Sequence, residues 1–418
     1  MKSEIPELDQ ARSILQTLVQ NVPEQLVFEV FDMDRCKYLF EQIQKVEPKE
    51  RILLRNTINK LLHYMEELEA SDIDIGGEGS LGKIWYRVHG SKRPEENLGT
   101  FTPMELDLLI INLLEEKQIE YLLENRSYDF SFVLDSDTGK KRRLRATIYL
   151  DLGHLALNMR LIEKELRSIE SYGFHDNIVN SFSLEKNKSG LILVTGITGS
   201  GKSTTLDSIV DYNNNTSDSH ITIIADPVER VHKSKMSIVR HREIGSDVLS
   251  FRDGAIQALR QDPDIIIIGE MRTAETIMTT LEAADTGHKV FSTLHTSSAV
   301  ETLDRIVDTV PFKYRGRVKT RLADVLEVIV SQKLLPNNEG KLSLAKEVMY
   351  MTPAIRAAIK NENTDEIYGI IRQGSKYGMH TLEQDLKRLY RMNEISFDNA
   401  IAHANNQKHF KDLVKYSF

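Results

Sequence analysis

The stretch Gly196-Ile-Thr-Gly-Ser-Gly-Lys-Ser203 constrains this chain more than any other. It reads G-x-x-x-x-G-K-S, a pattern whose backbone cradles the phosphates of a nucleotide. Before it runs Leu191-Ile-Leu-Val-Thr195, a short apolar segment of strand formers. After it, Thr204 to Val210 reads as the start of an amphipathic helix. A strand, a glycine turn and a helix in that order let successive N–H groups face one phosphate, with the positive end of the helix behind them. On this reading Gly196, Thr198, Gly199, Ser200, Gly201 and Thr204 form the cradle. Lys202 reaches the β- and γ-phosphates of ATP, and Ser203 holds Mg²⁺. The plain alternative is a glycine-rich turn with no ligand.

The 418 residues are too many for one ordinary core, so two or three domains are expected. A hydrophobic share of 40% with 28% charged residues is a globular balance. The formal net charge of -8 argues against a chain whose main work is gripping nucleic acid. One cysteine, Cys36, excludes an internal disulfide and a multi-cysteine zinc site, and fits a reducing compartment. Met1-Lys-Ser-Glu-Ile-Pro6 has no apolar signal core, and no run is long enough to span a bilayer. The expectation is a cytoplasmic protein that meets any membrane partner from outside, with no direct insertion.

Residues 1 to about 69 read as helical, with apolar pairs at Ile14-Leu15, Leu18-Val19 and Leu61-Leu62, punctuated by Pro6, Pro23 and Pro48. From Ser71 to about Arg160 the reading changes to a small α/β domain. Ile84–Val88, Asp129–Leu134 and Arg143–Tyr149 read as strands, and Asp135-Ser-Asp-Thr-Gly139 as a hairpin turn. Apolar runs at Leu191–Val194, Ile221–Ile224, Ile265–Ile268 and Val290–Leu294 alternate with helical stretches, which predicts βα units and a largely parallel sheet. From about Glu347 the chain reads as helical to its end, with Ser396 as an N-cap.

Binding a nucleotide is not hydrolysing it. Hydrolysis needs a carboxylate to orient water and cations to absorb charge on the transferring phosphoryl group. Asp264-Ile-Ile-Ile-Ile-Gly-Glu270 is an apolar strand ending in an acid, which puts Glu270 where α/β sheets hold ligands. A solvated strand-end carboxylate is the simpler reading. In Ala225-Asp-Pro-Val-Glu229 a strand runs into two acids; Glu229 is the choice for positioning water, against an Asx-type turn with a capping acid. His288 and His295 bracket the strand Val290–Leu294, and a histidine past a strand end can donate to a γ-phosphate or simply hold structure. Lys140-Lys-Arg-Arg-Leu-Arg145 is a nucleic-acid patch, a solvated strand edge, or the source of an arginine for a nucleotide held elsewhere; Arg160 shares the last option.

Taken together these segments resemble the secretion ATPase superfamily, and within it the PilT-type retraction ATPases of type IV pili. The resemblance rests on Thr195–Thr205, on ADPVERVH from Ala225 (like the family's Asp box), on RQDPDIIIIGEMRTAET from Arg260 (like its Walker B region) and on AADTGHKVFSTLHT from Ala283 (like its His box). Thr352–Ile359 resembles the AIR segment of retraction ATPases, and Ala70–Ile75 with Tyr86–Gly90 resembles the start of the PAS-like domain. The resemblance implies an α/β fold: a helical extension over 1–56, a PAS-like domain over 57–162, a linker over 163–187, a RecA-like core over 188–346 and a helical subdomain over 347–418. It implies a homohexameric ring with ATP between domains, working on an inner-membrane pilus platform protein at the pilus base. It assigns catalytic parts to Glu229, Glu270, His288 and His295, nucleotide contacts to Asp226, and arginines from the N-terminal domain to Arg145 and Arg160.

The sequence departs from that pattern where Ala225 replaces an acid, Asp74 a histidine and Thr273 an aspartate, and where Gly153 stands in place of an arginine. Three other readings stay open. An assembly or secretion ATPase usually carries a four-cysteine zinc insert, which a chain with Cys36 alone cannot form. A RecA-like nucleic-acid translocase is disfavoured by the charge. A non-catalytic ATP-binding regulator would have Ala225 as its mark.

Overall fold

Helical spacing over residues 1 to about 69 becomes three helices of more than one turn among the described residues of the computed structural model, which describes residues 6–23, 26, 33–89, 91–135, 141–162 and 166–415. These are α1 (Pro6–Gln20), α2 (Met33–Lys45) and α3 (Pro48–Glu67). Pro48 opens α3, where its missing N–H leaves no bond unmade. The helix runs on unbroken through residues 56 and 57. Leu8 and Leu15 of α1, Leu39 and Ile43 of α2, and Leu54, Ile58 and Leu61 of α3 share one buried cluster with the strands of the same unit. Cys36 is buried there too, and burial pushes its thiol up to about 12.

The strands are β1 (Ala70–Gly76), β2 (Trp85–Val88) and β3 (Ser91–Pro94), then, after helices α4 (Pro103–Ile111) and α5 (Glu116–Asn125), β4 (Ser127–Asp135), β5 (Lys141–Asp151) and β6 (His154–Leu161). They pair antiparallel in the order β3-β2-β1-β6-β5-β4. Alternation sets the faces: Leu144, Ala146 and Ile148 of β5 are buried, while Arg145 between them is exposed. Beyond Asp135, the expected turn and Lys140 lie outside the described residues. Helix α4 starts on a capping box, Thr102 with Glu105, and its Asp107 is fully buried. That carboxylate is tolerable because it accepts from the Leu155 N–H at 2.7 Å, meets His154 Nδ1 at 2.8 Å and pairs with buried Arg35 of α2 at 3.7 Å. Arg35 also donates to the Gly153 carbonyl in the β5–β6 turn. Residues Met1–Lys164 form one compact unit and Glu165–Phe418 a second.

The second unit opens with α6 (Asp176–Phe182) and continues β7 (Gly190–Thr195), α7 (Lys202–Thr216), β8 (His220–Ala225), β9 (Ile238–Glu243), α8 (Phe251–Ala258), β10 (Ile265–Ile268), α9 (Ala274–Asp285), β11 (Lys289–Leu294), α10 (Ala299–Thr309), α11 (Phe312–Val325), β12 (Leu326–Pro336) and β13 (Leu342–Tyr350). The sheet order is β13-β12-β7-β11-β10-β8-β9, parallel throughout except for β13 against β12. Every residue of β7, β10 and β11 is buried, as expected for strands covered on both faces.

The four apolar runs read as strands are strands. The hairpin β12–β13 corrects the reading of the region after Glu347: β13 continues to Tyr350, and only then do helices take over. Both strands are buried in continuous runs, and polar residues within them, such as Gln332 and Glu347, interrupt the apolar signal. The helices are α12 (Pro353–Lys360), α13 (Asp365–Gln373), α14 (Leu382–Arg391), α15 (Phe397–His403) and α16 (Gln407–Lys415). Ser396 caps α15 by accepting from the Asn399 N–H at 3.1 Å.

Candidate active site

Parallel strands aim their carboxyl ends the same way, so the segments after β7, β11, β10 and β8 collect along one edge. After β7 comes the glycine loop. Gly196, Gly199 and Gly201 have φ of +147°, +79° and +86°, a region that side-chain-bearing residues rarely enter. At Gly196 a Cβ would also sit 2.3 Å from Ser200 Oγ and 2.5 Å from the Gln332 carbonyl. Lys202 opens α7 and folds over the loop, donating to the carbonyls of Gly196 at 2.8 Å and Ile197 at 3.0 Å. Burial pulls its pKa down, and the Glu270 carboxylate pulls the other way. Ser203 and Thr204 are exposed on the first turn of the helix.

The Gly196 N–H donates to the Leu294 carbonyl at 3.3 Å, which sets His295 beside the loop. Glu270 comes after β10. Its backbone is pinned on both sides, since the Gly269 N–H donates to Ile224 at 2.8 Å and the Met271 N–H to Thr293 at 3.0 Å. Its carboxylate takes Arg272 Nε at 2.6 Å and lies 3.6 Å from His295 Nε2. Burial first, then Lys202, hold His295 below the ordinary histidine value of 6.5, with Glu270 opposing and Arg272 adding to the fall. At neutral pH the imidazole is therefore uncharged and presents one N–H and one lone pair. Lys202, Glu270, His295 and Arg272 form one electrostatic group.

Asp226 and Glu229 come after β8, Asp226 exposed and Glu229 half-buried. Their segment is fastened at both ends. The Val228 N–H donates to Glu243 of β9 at 2.9 Å, and Asp207 of α7 binds His232 Nε2 at 2.9 Å and faces Arg230 Nε at 3.4 Å. Asp207 lies on the helix that begins with Lys202, so the acids and the phosphate loop share one support. Ala225 pairs across the ladder with Glu243, which puts a carboxylate on the neighbouring strand where position 225 has none.

A buried polar network underlies the loop. Gln332 Nε2 donates to Thr205 Oγ1 at 2.8 Å, Thr195 Oγ1 meets Ser331 Oγ at 2.8 Å, and Thr296 meets Thr302 at 2.7 Å. Sequence reading misses these residues and Asp207. Ser331-Gln332, breaking the apolar run after Val328-Ile-Val330, is the available signal.

His288 is an expected site residue that the fold does not bring to the loop. It precedes β11, at the opposite end of the strand from His295. Its carbonyl accepts from Gly190, and its Nδ1 contacts the Ala283 carbonyl and Thr286 Oγ1, each at 3.1 Å. Six strand residues at ~3.3 Å each hold it roughly 20 Å away. His288 thus makes its contacts at the far end of the strand from this loop. Arg145 and Arg160 are cross-strand partners on β5 and β6 of the first unit. Arg160 binds buried Asp72 at 2.7 Å, and Arg145 lies 3.6 Å from Asp129.

The residues present fit a nucleoside triphosphate with Mg²⁺. The cradle excludes Cβ atoms at Gly196, an ammonium stands over it, and the buried Ser200 Oγ has no hydrogen-bond partner among the described residues. Ser203 offers a metal-binding hydroxyl at the helix start.

A family model described as type II/IV secretion system protein matches residues 47–415. The type IV pilus retraction ATPase PilT of Pseudomonas aeruginosa is 37% identical over 353 residues, covering 84% of this chain and 99% of that protein. Among solved structures, the pilus retraction motor PilT with bound ADP superposes with a TM-score of 0.76 at 37% identity, over 85% of this chain and 99% of that one. The ATPase DotB of Legionella pneumophila superposes with a TM-score of 0.68 at 28% identity, over 83% and 96%.

Proposed function

This chain belongs to the type II/IV secretion system protein family, and from that premise we propose a motor that couples ATP hydrolysis to the retraction of a type IV pilus. The observation that carries the reading is similarity to a retraction ATPase over 99% of that protein's length, joined to a site that gathers the loop, Glu270 and His295 at one sheet edge. The active form is a homohexameric ring on the cytoplasmic side of the inner membrane, bearing on a platform protein. Among the described residues no helix is long and apolar enough to cross a membrane, which suits contact with that partner from outside the bilayer.

Each residue has a distinct task. The loop N–H groups and Lys202 bind and orient the β- and γ-phosphates. Mg²⁺, held by Ser203, draws charge from the phosphate oxygens when bound. Glu270 would take up a water of the bound metal, and His295, beside Glu270 without a hydrogen bond to it, would donate its single N–H to the γ-phosphate. Glu229 orients the attacking water and accepts its proton. Asp226 shapes the turn that carries Glu229. Arg145 and Arg160 supply cations from an N-terminal unit to a nucleotide in the ring.

The test is to follow labelled pili in cells lacking the protein. Pili that extend but do not shorten are expected; pili that shorten at the normal rate would sink the reading. Loss of pilus extension instead would assign the motor to assembly.

A further inference from the structure

The connection from β11 to α10, His295–Ser298, is fastened from three directions. Within its own helix, Glu301 accepts from the Ser297 N–H at 2.7 Å, and Ser298 caps α10. From β13, Glu347 accepts from the Ala299 N–H at 2.8 Å. Glu347 is 2% exposed, and a buried carboxylate is tolerable there because it meets the positive end of a helix. From the C-terminal helices comes Asn405, in the link between α15 and α16, whose amide donates to the Ser297 carbonyl at 3.3 Å.

Asn405 is itself held in place. Lys333 of β12 donates to Asn405 Oδ1 at 2.7 Å and to the His403 carbonyl at 2.9 Å. The next N–H, Asn406, donates at 2.8 Å to Glu383 of α14, a carboxylate 1% exposed that also accepts from Tyr368 at 3.0 Å. Two charged side chains, one from the sheet and one from a helix, thus fix a three-residue link that grips the β11–α10 connection at the Ser297 carbonyl. That carbonyl is two residues from His295.

We propose that Asn405 is a positioning residue for His295: gripped by Lys333, it sets where the imidazole stands beside the phosphate loop and ties that position to the C-terminal helices. This rests on the part given to His295 in turnover. With Ser297 released, the short connection can relax, and a misplacement near 1 Å costs up to about 100-fold in rate.

The experiment is steady-state ATP hydrolysis by the full chain. Asn405→Ala removes both contacts. Asn405→Asp keeps an acceptor for Lys333 but has no N–H for Ser297. Lys333→Met leaves Asn405 in place and loosens it. All three are expected to lower kcat about three- to tenfold with KM for ATP within about twofold, the pattern of a transition-state contact misplaced while binding survives. In a His295→Ala background, Asn405→Ala should give no further loss, because both act through one group. Wild-type kcat in Asn405→Asp, or losses that multiply in the double variant, would overturn the proposal. Wild-type turnover in His295→Ala would remove the part given to His295 and the proposal with it. A defective His295→Ala beside normal Asn405 variants would remove the proposal alone. Thermal melting of each variant separates these outcomes from misfolding, and equal kcat losses only in variants that melt early would also overturn it.

Discussion

At Lys202 the ammonium donates to two carbonyls of its own loop, so it is held over the cradle by bonds that a bound phosphate would have to share or displace. Glu229 belongs to a segment after β8, pinned by Asp207 and Glu243, while the cradle follows β7. The two substitutions should therefore separate. Lys202→Ala should weaken nucleotide binding about 10- to 100-fold, the worth of a charged hydrogen bond. Glu229→Gln should leave affinity within about twofold and lower turnover about 100-fold. Titration with a fluorescent nucleotide and a phosphate-release assay read the two quantities. Equal effects on binding from both variants would show that Glu229 is not positioned for water.

Glu347 gives a pH prediction. Burial pushes its carboxyl from 4.5 to about 7, with Glu383 adding to the rise and Lys333 and the Ala299 N–H opposing it. The folded protein then binds this proton more tightly than the unfolded chain does. Stability from this group is greatest below pH 4.5 and falls as pH rises toward 7. Glu347→Gln, which cannot ionise, should show a smaller fall in stability between pH 5 and pH 7.5, by about 2 kcal/mol. Parallel stability–pH curves for the two proteins would place the proton elsewhere.

Among the elements, the loop, Glu270 and His295 were legible in the sequence because each stands within a few residues of an apolar strand end. The backbone of a parallel sheet does the rest. Gln332, Asp207 and Asn405 were not legible, since their partners lie 127, 25 and 108 residues away and only the fold makes them neighbours. His288, seven residues before His295, stands at the other end of the strand β11 between them. The hairpin β12–β13 was hidden by Ser331, Gln332, Lys333, Lys346 and Glu347, polar residues inside strands largely buried on both faces.

Helix α2 shows what the chain gains from residues outside the span of the family model, which begins at residue 47. Arg35 neutralises buried Asp107 and ties α2 to the β5–β6 turn. Arg35→Met keeps the bulk and removes the charge, leaving Asp107 to His154 and one backbone N–H. The loss of a buried charge partner should cost roughly 2–4 kcal/mol. The full chain should show a thermal transition lowered by several degrees; a melting profile matching wild type would show the pair to be dispensable.

On the scale of the molecule, two compact units of different build are strung on one chain, one antiparallel with its helices drawn largely from the first 125 residues, one mainly parallel and carrying the phosphate loop. The net charge of -8 weighs against a chain whose main work is gripping nucleic acid.

The hairpin β12–β13 carries Gln332, which touches the helix of the phosphate loop, and also Lys333 and Glu347, which hold the link and the helix beyond His295. One rigid pair of strands thus reports on the cradle at one point and on the C-terminal helices at the next. Coupling of this kind is reciprocal by thermodynamic necessity. If nucleotide binding shifts the hairpin and the C-terminal helices with it, then whatever displaces those helices must in turn alter nucleotide affinity by the same factor.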